Sequence, residues 1–384
     1  EDVLMTMVRK TVEQPEKDFI PVPRRTLYRR LWRFGLRTAA LFFIDAKISG
    51  RQHFPTEGPV ILVANHNAFI EIGMLQAYAP YPIEFLTTGD IPLEPRFALL
   101  AQIYGYIPVK RGSMDRSAMN KALSVLQQGG VVGLFPQGGI WETTVTQAHT
   151  GVAWLSQKSG APIVPVGFGG TEGSITRASR FQRPAVTMNV GQPIPATPEK
   201  VAGKSRKDVL EDSTAEVMQA VFDLIPQWEK DSWRKLAAEE FTLELNLMNG
   251  VGHSANGSTP NVTNAAEVSK FFHRPVLLDA MRRNLGLDVG VLEQVRTERD
   301  AAALAAALDE VLTYTTETNP YFLTYRFGND EGHAMEAGLA ELRDAARWAA
   351  ENGYSLSIKP VRRFRMEGEA DFTVEEYPKP IQQL

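Results

Sequence analysis

Between residues 58 and 190, short apolar runs alternate with longer stretches of helical periodicity, and this alternation constrains the fold more than any other feature of the chain. Val60–Ala64, Ile83–Leu86, Ile107–Val109, Val131–Phe135, Ile163–Phe168 and Ala185–Val190 read as buried strands. Residues 69–78, 95–104, 114–128 and 148–159 read as the helices between them. Strands that alternate with helices cover both faces of a sheet. The expected fold class is therefore α/β, a mostly parallel sheet flanked by helices.

The flanks differ. Residues 1–22 form a polar lead-in. From Arg24 to Ile44, Arg25, Arg29, Arg33 and Arg37 recur every four residues and line one helical stripe. Leu27, Leu31, Phe34 and Leu41, with Tyr28, Trp32 and Phe42, fall mostly on the other side. Such a helix either packs on a core or lies in a membrane interface, with Arg at anionic headgroups and Trp and Phe in the acyl boundary. Pro193, Pro195 and Pro198 close the alternating region, and a helix is expected over 207–225, stopped by Pro226. Asn249–Asn264 is rich in Gly, Ser and Asn and reads as a linker. Helices near 276–285, 299–313 and 334–350 and strands at 354–363 and 372–377 follow. The expected division is thus 1–45 lead-in and basic helix, 46–248 α/β domain, 249–264 linker and 265–384 a C-terminal α+β module of no evident chemistry.

Composition removes several classes. The chain has no cysteine, which excludes disulfides, thiolate zinc sites and a cysteine nucleophile and fits a reducing compartment. A net charge of -4 supplies no whole-chain basic field, so nucleic acid is not an expected partner. The six histidines, at 53, 66, 149, 253, 273 and 333, show no metal-ligand spacing. No apolar run is long enough for a transmembrane helix. Gly167-Phe-Gly-Gly-Thr-Glu-Gly173 is no dinucleotide fingerprint, because Glu172 stands where the third glycine belongs. There is no P-loop and no Gly-x-Ser-x-Gly elbow.

Four strand exits carry the chemistry. VILVANHNAFIE (60–71) brings Asn65 and His66 to a strand's C-terminal end, the edge where α/β sheets bind ligands, with Glu71 five residues on. An imidazole can take a hydroxyl proton near neutrality, and a carboxylate beside it can hold the tautomer. Five residues is about 140° around a helix, so the pair meets only if His66 precedes the helix. A loop histidine held by a hydrogen bond is the alternative. GYIPVKRG (105–112) places Lys110 and Arg111 after a short strand, suited to a phosphate or to a solvated basic turn. VVGLFPQGG (131–139) ends a strand in Phe135, Pro136, Gln137 and Gly138, where a backbone can approach a ligand or simply turn. APIVPVGFGG (161–170) is a fourth exit, with Pro162 and Pro165 expected to confine it to an edge or an irregular pairing.

In order and spacing these segments resemble the glycerolipid acyltransferase superfamily. That family carries Asn-His-x4-Asp, Gly-x-Ile-Pro-Val-x-Arg-Gly, Phe-Pro-Glu-Gly and Val-Pro-Val blocks. This chain reads NHNAFIE, GYIPVKRG, FPQGG and VPVGF over roughly residues 25–225. The resemblance implies a lipid acyltransferase in which His66 deprotonates the acceptor and Glu71 orients it. Arg111, with Lys110, would bind an acceptor phosphate. Asn65, Phe135, Pro136, Gln137 and Gly138 would shape the acceptor site, and Val164, Pro165 and Val166 the acyl side. It further implies acyl-CoA or acyl carrier protein as co-substrate, no metal or cofactor, and a lysophospholipid-like acceptor. The place of action would be the cytoplasmic face of a membrane, with the chain bound peripherally. Two positions depart from the pattern: Glu71 replaces Asp, and Gln137 replaces Glu. The second removes a negative charge where a glycerol hydroxyl is expected. It keeps open a glycolipid acceptor, or a catalytically weak scaffold or lipid-binding subunit.

Overall fold

The computed structural model describes residues 18–89, 102–110, 115–136, 150–233, 235–248, 261–285 and 300–375. Their Cα packing divides into two compact units, one ending at Ser232 and the other running from Trp233, with Gly89 and Lys110 also grouped with the second. Most of the helix expected at 95–104 and of the 249–264 linker lies outside the described residues.

The first unit opens with helix α1 (Thr26–Phe43) and strand β1 (Asp45–Ser49). Then follow β2 (Val60–Ala64), α2 (Ile70–Tyr78), β3 (Glu84–Thr88), β4 (Ile107–Val109), α3 (Arg116–Gln127) and β5 (Val131–Leu134). The unit continues with α4 (Gly151–Ser159), β6 (Ile163–Gly169), α5 (Ser174–Ser179), β7 (Ala185–Val190), α6 (Arg206–Leu224) and α7 (Gln227–Ser232). The seven strands form one sheet in the order β1-β7-β6-β2-β5-β3-β4. Neighbours are parallel except β6 and β7, so β1 and β7 run against the other five.

β2 shows why these runs become strands. All five residues are buried, and they alternate between two cores. Val60, Leu62 and Ala64 enter a cluster with Met74 and Leu75 of α2, against which Tyr28 and Trp32 of α1 pack. Ile61 and Val63 enter another with Ala122 and Val125 of α3, Leu155 of α4 and Val217 of α6. Each fully buried Val, Leu, Ile or Met among them contributes about 1.5–3 kcal/mol by leaving water. Polar side chains seal the helix starts: Asp115 accepts from Ala118 N at the head of α3, and Ser205 and Asp208 form a reciprocal capping box on α6.

Two readings left open by the sequence narrow here. β6 is not an edge strand but sits between β2 and β7. Pro165 is tolerated because its carbonyl takes the N–H of Gly191 at 2.9 Å, just past Val190, the last β7 residue in register. Its absent N–H faces that same side, where the β7 ladder has run out. The arginine stripe of α1 does not face outward. Arg29 is buried, and with Arg24 it pairs with the buried Glu84. Arg33 donates to the carbonyls of Ala77 and Pro80, and Arg37 to that of Ala77 at 2.5 Å. Cations suit the carbonyl end of a helix, here that of α2. The apolar stripe is therefore the exposed one: Leu27, Leu31, Phe34, Leu41 and Phe42 are each 62–73% exposed.

The second unit holds β8 (Leu236–Met248), α8 (Ala265–Phe272), α9 (Pro275–Leu285), α10 (Ala301–Thr313), α11 (Thr324–Phe327), α12 (Asn329–Glu351), β9 (Ser355–Met366) and β10 (Thr373–Glu375). Its three strands form an antiparallel sheet in the order β10-β9-β8. β8 pairs with β9 along almost its whole length, so the chain from 236 to 248 belongs with this unit rather than closing the α/β domain at 248. Among the described residues no helix is long and apolar enough to cross a membrane.

Candidate active site

Three neighbouring central strands, β6, β2 and β5, end at the same sheet edge. Each delivers one residue of interest just past its last paired position: Thr171, His66 and Phe135. Asn65 holds the exit of β2 to that of β6. Its side-chain amide donates to Phe168 O at 3.2 Å, and its oxygen accepts from Phe168 N at 2.7 Å. Asn65 is buried, and both ends of its amide are committed to backbone.

His66 lies four residues before α2 begins at Ile70, so the helical phase does not separate it from Glu71. Its Nδ1 stands 2.7 Å from Glu71 Oε2. Glu71 is the second residue of α2 and is fully buried. Phe69 at the helix head offers no capping side chain. The carboxylate itself folds back and accepts from Asn67 N at 2.9 and 3.0 Å and from Ala68 N at 3.2 Å. The hydroxyl of Thr171 donates to Oε1 at 2.7 Å. A buried carboxylate is costly unless its lone pairs are filled, and here backbone, hydroxyl and imidazole fill them. The extra methylene of Glu over Asp gives the reach for this backward fold. A carboxylate only accepts, so Nδ1 is the protonated nitrogen of a neutral imidazole so held.

The ring is also held from the side. Phe135 stacks on His66 with centroids 4.2 Å apart and planes at 23°, and Phe85 of β3 lies behind Phe135 at 6.3 Å and 8°. Phe85 can lie flat because Gly133 is beside it in register: a Cβ there would meet the Phe85 ring at 2.6 Å.

Of the residues expected from sequence, the structure brings His66, Glu71 and Phe135 together, with Asn65 next to them and Pro136 buried after Phe135. Lys110 is exposed one residue past β4 and is grouped with the second unit. Arg111, Gln137 and Gly138 lie outside the described residues. Sequence reasoning missed Thr171 and Gly133. The signal for Thr171 sat inside the glycine cluster set aside as a false fingerprint. Gly170, at φ 74°, turns the chain where a Cβ would strike Ala185 O at 2.3 Å, and the next residue is Thr171.

With this geometry in view, residues 45–169 match the family model described as Acyltransferase. They are an acyltransferase domain of the glycerolipid acyltransferase superfamily. The 1-acyl-sn-glycerol-3-phosphate acyltransferase of Bacillus subtilis is 21% identical over 150 residues, 38% of this chain and 73% of that protein. The lyso-ornithine lipid O-acyltransferase of Pseudomonas aeruginosa is 32% identical over 114 residues, 29% of this chain and 42% of that protein. Among solved structures, the 1-acyl-sn-glycerophosphate (LPA) acyltransferase PlsC of Thermotoga maritima is 16% identical, covers 61% of this chain and 90% of its own, and gives a TM-score of 0.39. The His66–Glu71 pair and Phe135 lie inside the acyltransferase domain, and Thr171 lies two residues beyond its matched end.

Proposed function

We propose that this acyltransferase moves a fatty acyl group from acyl-CoA or acyl carrier protein to a hydroxyl of a lysophospholipid-like acceptor at a membrane surface. The observation that carries the reading is the imidazole at the sheet edge held by a caged carboxylate, His66 Nδ1 to Glu71 Oε2 at 2.7 Å. The acceptor O–H gives its proton to His66 Nε2 as its oxygen attacks the thioester carbonyl carbon. Glu71 stabilises the imidazolium that forms. The tetrahedral oxyanion collapses, the C–S bond breaks, and the leaving thiolate takes the proton back from Nε2. Acyl-enzyme chemistry is not needed, and the thioester is the only co-substrate. Thr171 and the N–H groups of Asn67 and Ala68 keep the carboxylate aimed, so the base does not have to be reoriented in each turnover. Lys110 and Arg111, which follow β4 in the chain, are proposed to take the acceptor phosphate.

The exposed apolar stripe of α1 supports peripheral attachment to the cytoplasmic face, where acyl thioesters are supplied. A second acceptor class is kept because Gln137 lacks the family's charge and one relative is named for lyso-ornithine lipid. A glycolipid or aminolipid hydroxyl would serve the same base.

Purified protein given acyl-CoA and a panel of lyso-lipids should release thiol with at least one acceptor. His66→Ala should lower kcat about a thousandfold or more at an unchanged thermal midpoint. Near-normal turnover in that variant sinks the mechanism. A folded, lipid-binding parent silent across the panel favours the scaffold reading.

A further inference from the structure

Helix α5 ends in a Schellman turn: Phe181 N donates to Ala178 O at 2.9 Å, and Gln182 N to Arg177 O at 3.0 Å. The residue just past such a helix end takes left-handed backbone and is usually glycine. Here it is Phe181, at φ 58°, with Arg183 also left-handed at φ 43°. Left-handed backbone is unfavourable for residues with a side chain, the more so for bulky ones. Burial does not offset it, because the Phe181 ring is 78% exposed. The ring leans on Phe43 at the end of α1, centroids 5.5 Å apart, and Arg183 donates to Leu41 O at 3.2 Å. Phe181 thus adds an exposed aromatic ring beside the C-terminal end of α1. Around it, Arg177, Arg180 and Arg183 are exposed, and residues 173–184 contain no acid. An apolar tip ringed by arginines matches a surface of negative headgroups over hydrocarbon.

We infer that the Phe181 turn is a second insertion point, acting with the outer face of α1 on an anionic bilayer. It rests on the interfacial reading of α1 given above and adds a second element and a charge preference. The strained residue is kept where glycine would fold more easily because the ring is used outside the fold.

Phe181→Gly separates the two demands. Its thermal midpoint should equal or exceed the parent's, since glycine relieves the backbone. Its partitioning onto phosphatidylcholine vesicles containing phosphatidylglycerol should fall about tenfold or more in a sedimentation assay. Arg180→Gln should lose about fivefold on those vesicles and nothing on phosphatidylcholine alone. Phe34→Glu, on α1, tests the underlying stripe separately. Loss of binding in Phe34→Glu with parental binding in Phe181→Gly overturns the second insertion point and leaves the α1 reading standing. A parent that dimerises through this face by light scattering, with Phe181→Gly monomeric and its vesicle binding intact, also overturns the inference, in favour of a second copy. No turnover is read, so failure of the acyl-transfer reading is seen in a different assay.

Discussion

Glu71 and Glu84 are both buried carboxylates in the same unit, and they are answered by opposite kinds of partner. Glu84 sits between the guanidiniums of Arg24 and Arg29, two fixed charges. Burial alone would push its carboxyl up, but hydrogen bonds and attraction from Arg29 and Arg24 hold it below the ordinary value of 4.5. Glu71 has no guanidinium beside it among the described contacts. It is fed by two backbone N–H groups, one hydroxyl and one imidazole. The first arrangement is locked, because neither arginine can give up its charge. The second contains one partner that can gain and lose a proton, with everything around it held still. A buried acid answered by permanent cations staples α1 to the sheet. A buried acid answered by dipoles and an imidazole can serve chemistry.

Substitutions sharpen this contrast. Glu84→Gln leaves Arg29 buried beside a neutral amide and should cost about 3–5 kcal/mol of stability by denaturant titration. Glu71→Gln keeps the shape but presents an amide to the ring. It should lower kcat about a hundred- to a thousandfold, some 3–4 kcal/mol of barrier, with far less effect on folding than Glu84→Gln. Equal losses of stability in the two variants would erase the distinction. Thr171→Val removes one hydrogen bond to Glu71 and should cost about 1 kcal/mol, read as a fivefold to tenfold fall in kcat with KM held, and Thr171→Ser should restore it. The smallest effect is in pH. A depressed carboxyl adds stability above its ordinary value, and that stability drains as the pH falls from about 4.5 through the depressed value. The gap in thermal midpoint between parent and Glu84→Gln should therefore narrow as the pH falls below that point, and a constant gap would place the pairing outside the folded state's titration.

The central strands were legible because burial on both faces leaves an unbroken apolar run, as in Val60–Ala64. β1 was not, since Asp45–Ser49 lies at the sheet edge with alternating exposed residues and reads as polar. β8 was missed although Phe241, Leu243, Leu245 and Leu247 alternate with Glu240, Thr242, Glu244 and Asn246. Its many Leu, Ala and Glu residues favour helix, and its strand state comes from pairing with residues more than a hundred positions away. The periodicity of α1 was plain but its orientation was not. Arginines ordinarily face water, and here the carbonyls of Ala77, Pro80, Gln102, Ile103, Tyr104 and Gly105 and the acid Glu84 draw them inward. The His66–Glu71 contact could be anticipated from spacing and a strand boundary. Thr171 could not, because a hundred residues separate it from the carboxylate it meets.

The clasp of Arg33 and Arg37 on Ala77 has a mechanical meaning. α2 is nine residues long, a stiff strut of about 14 Å, with Glu71 at one end and the clasp at the other. A load borne by α1 therefore has one path toward Glu71 along this rod, beside the Glu84 staple that ties the same helix to the sheet. Any tilt of that outer helix is opposed at the rod whose other end carries the carboxylate.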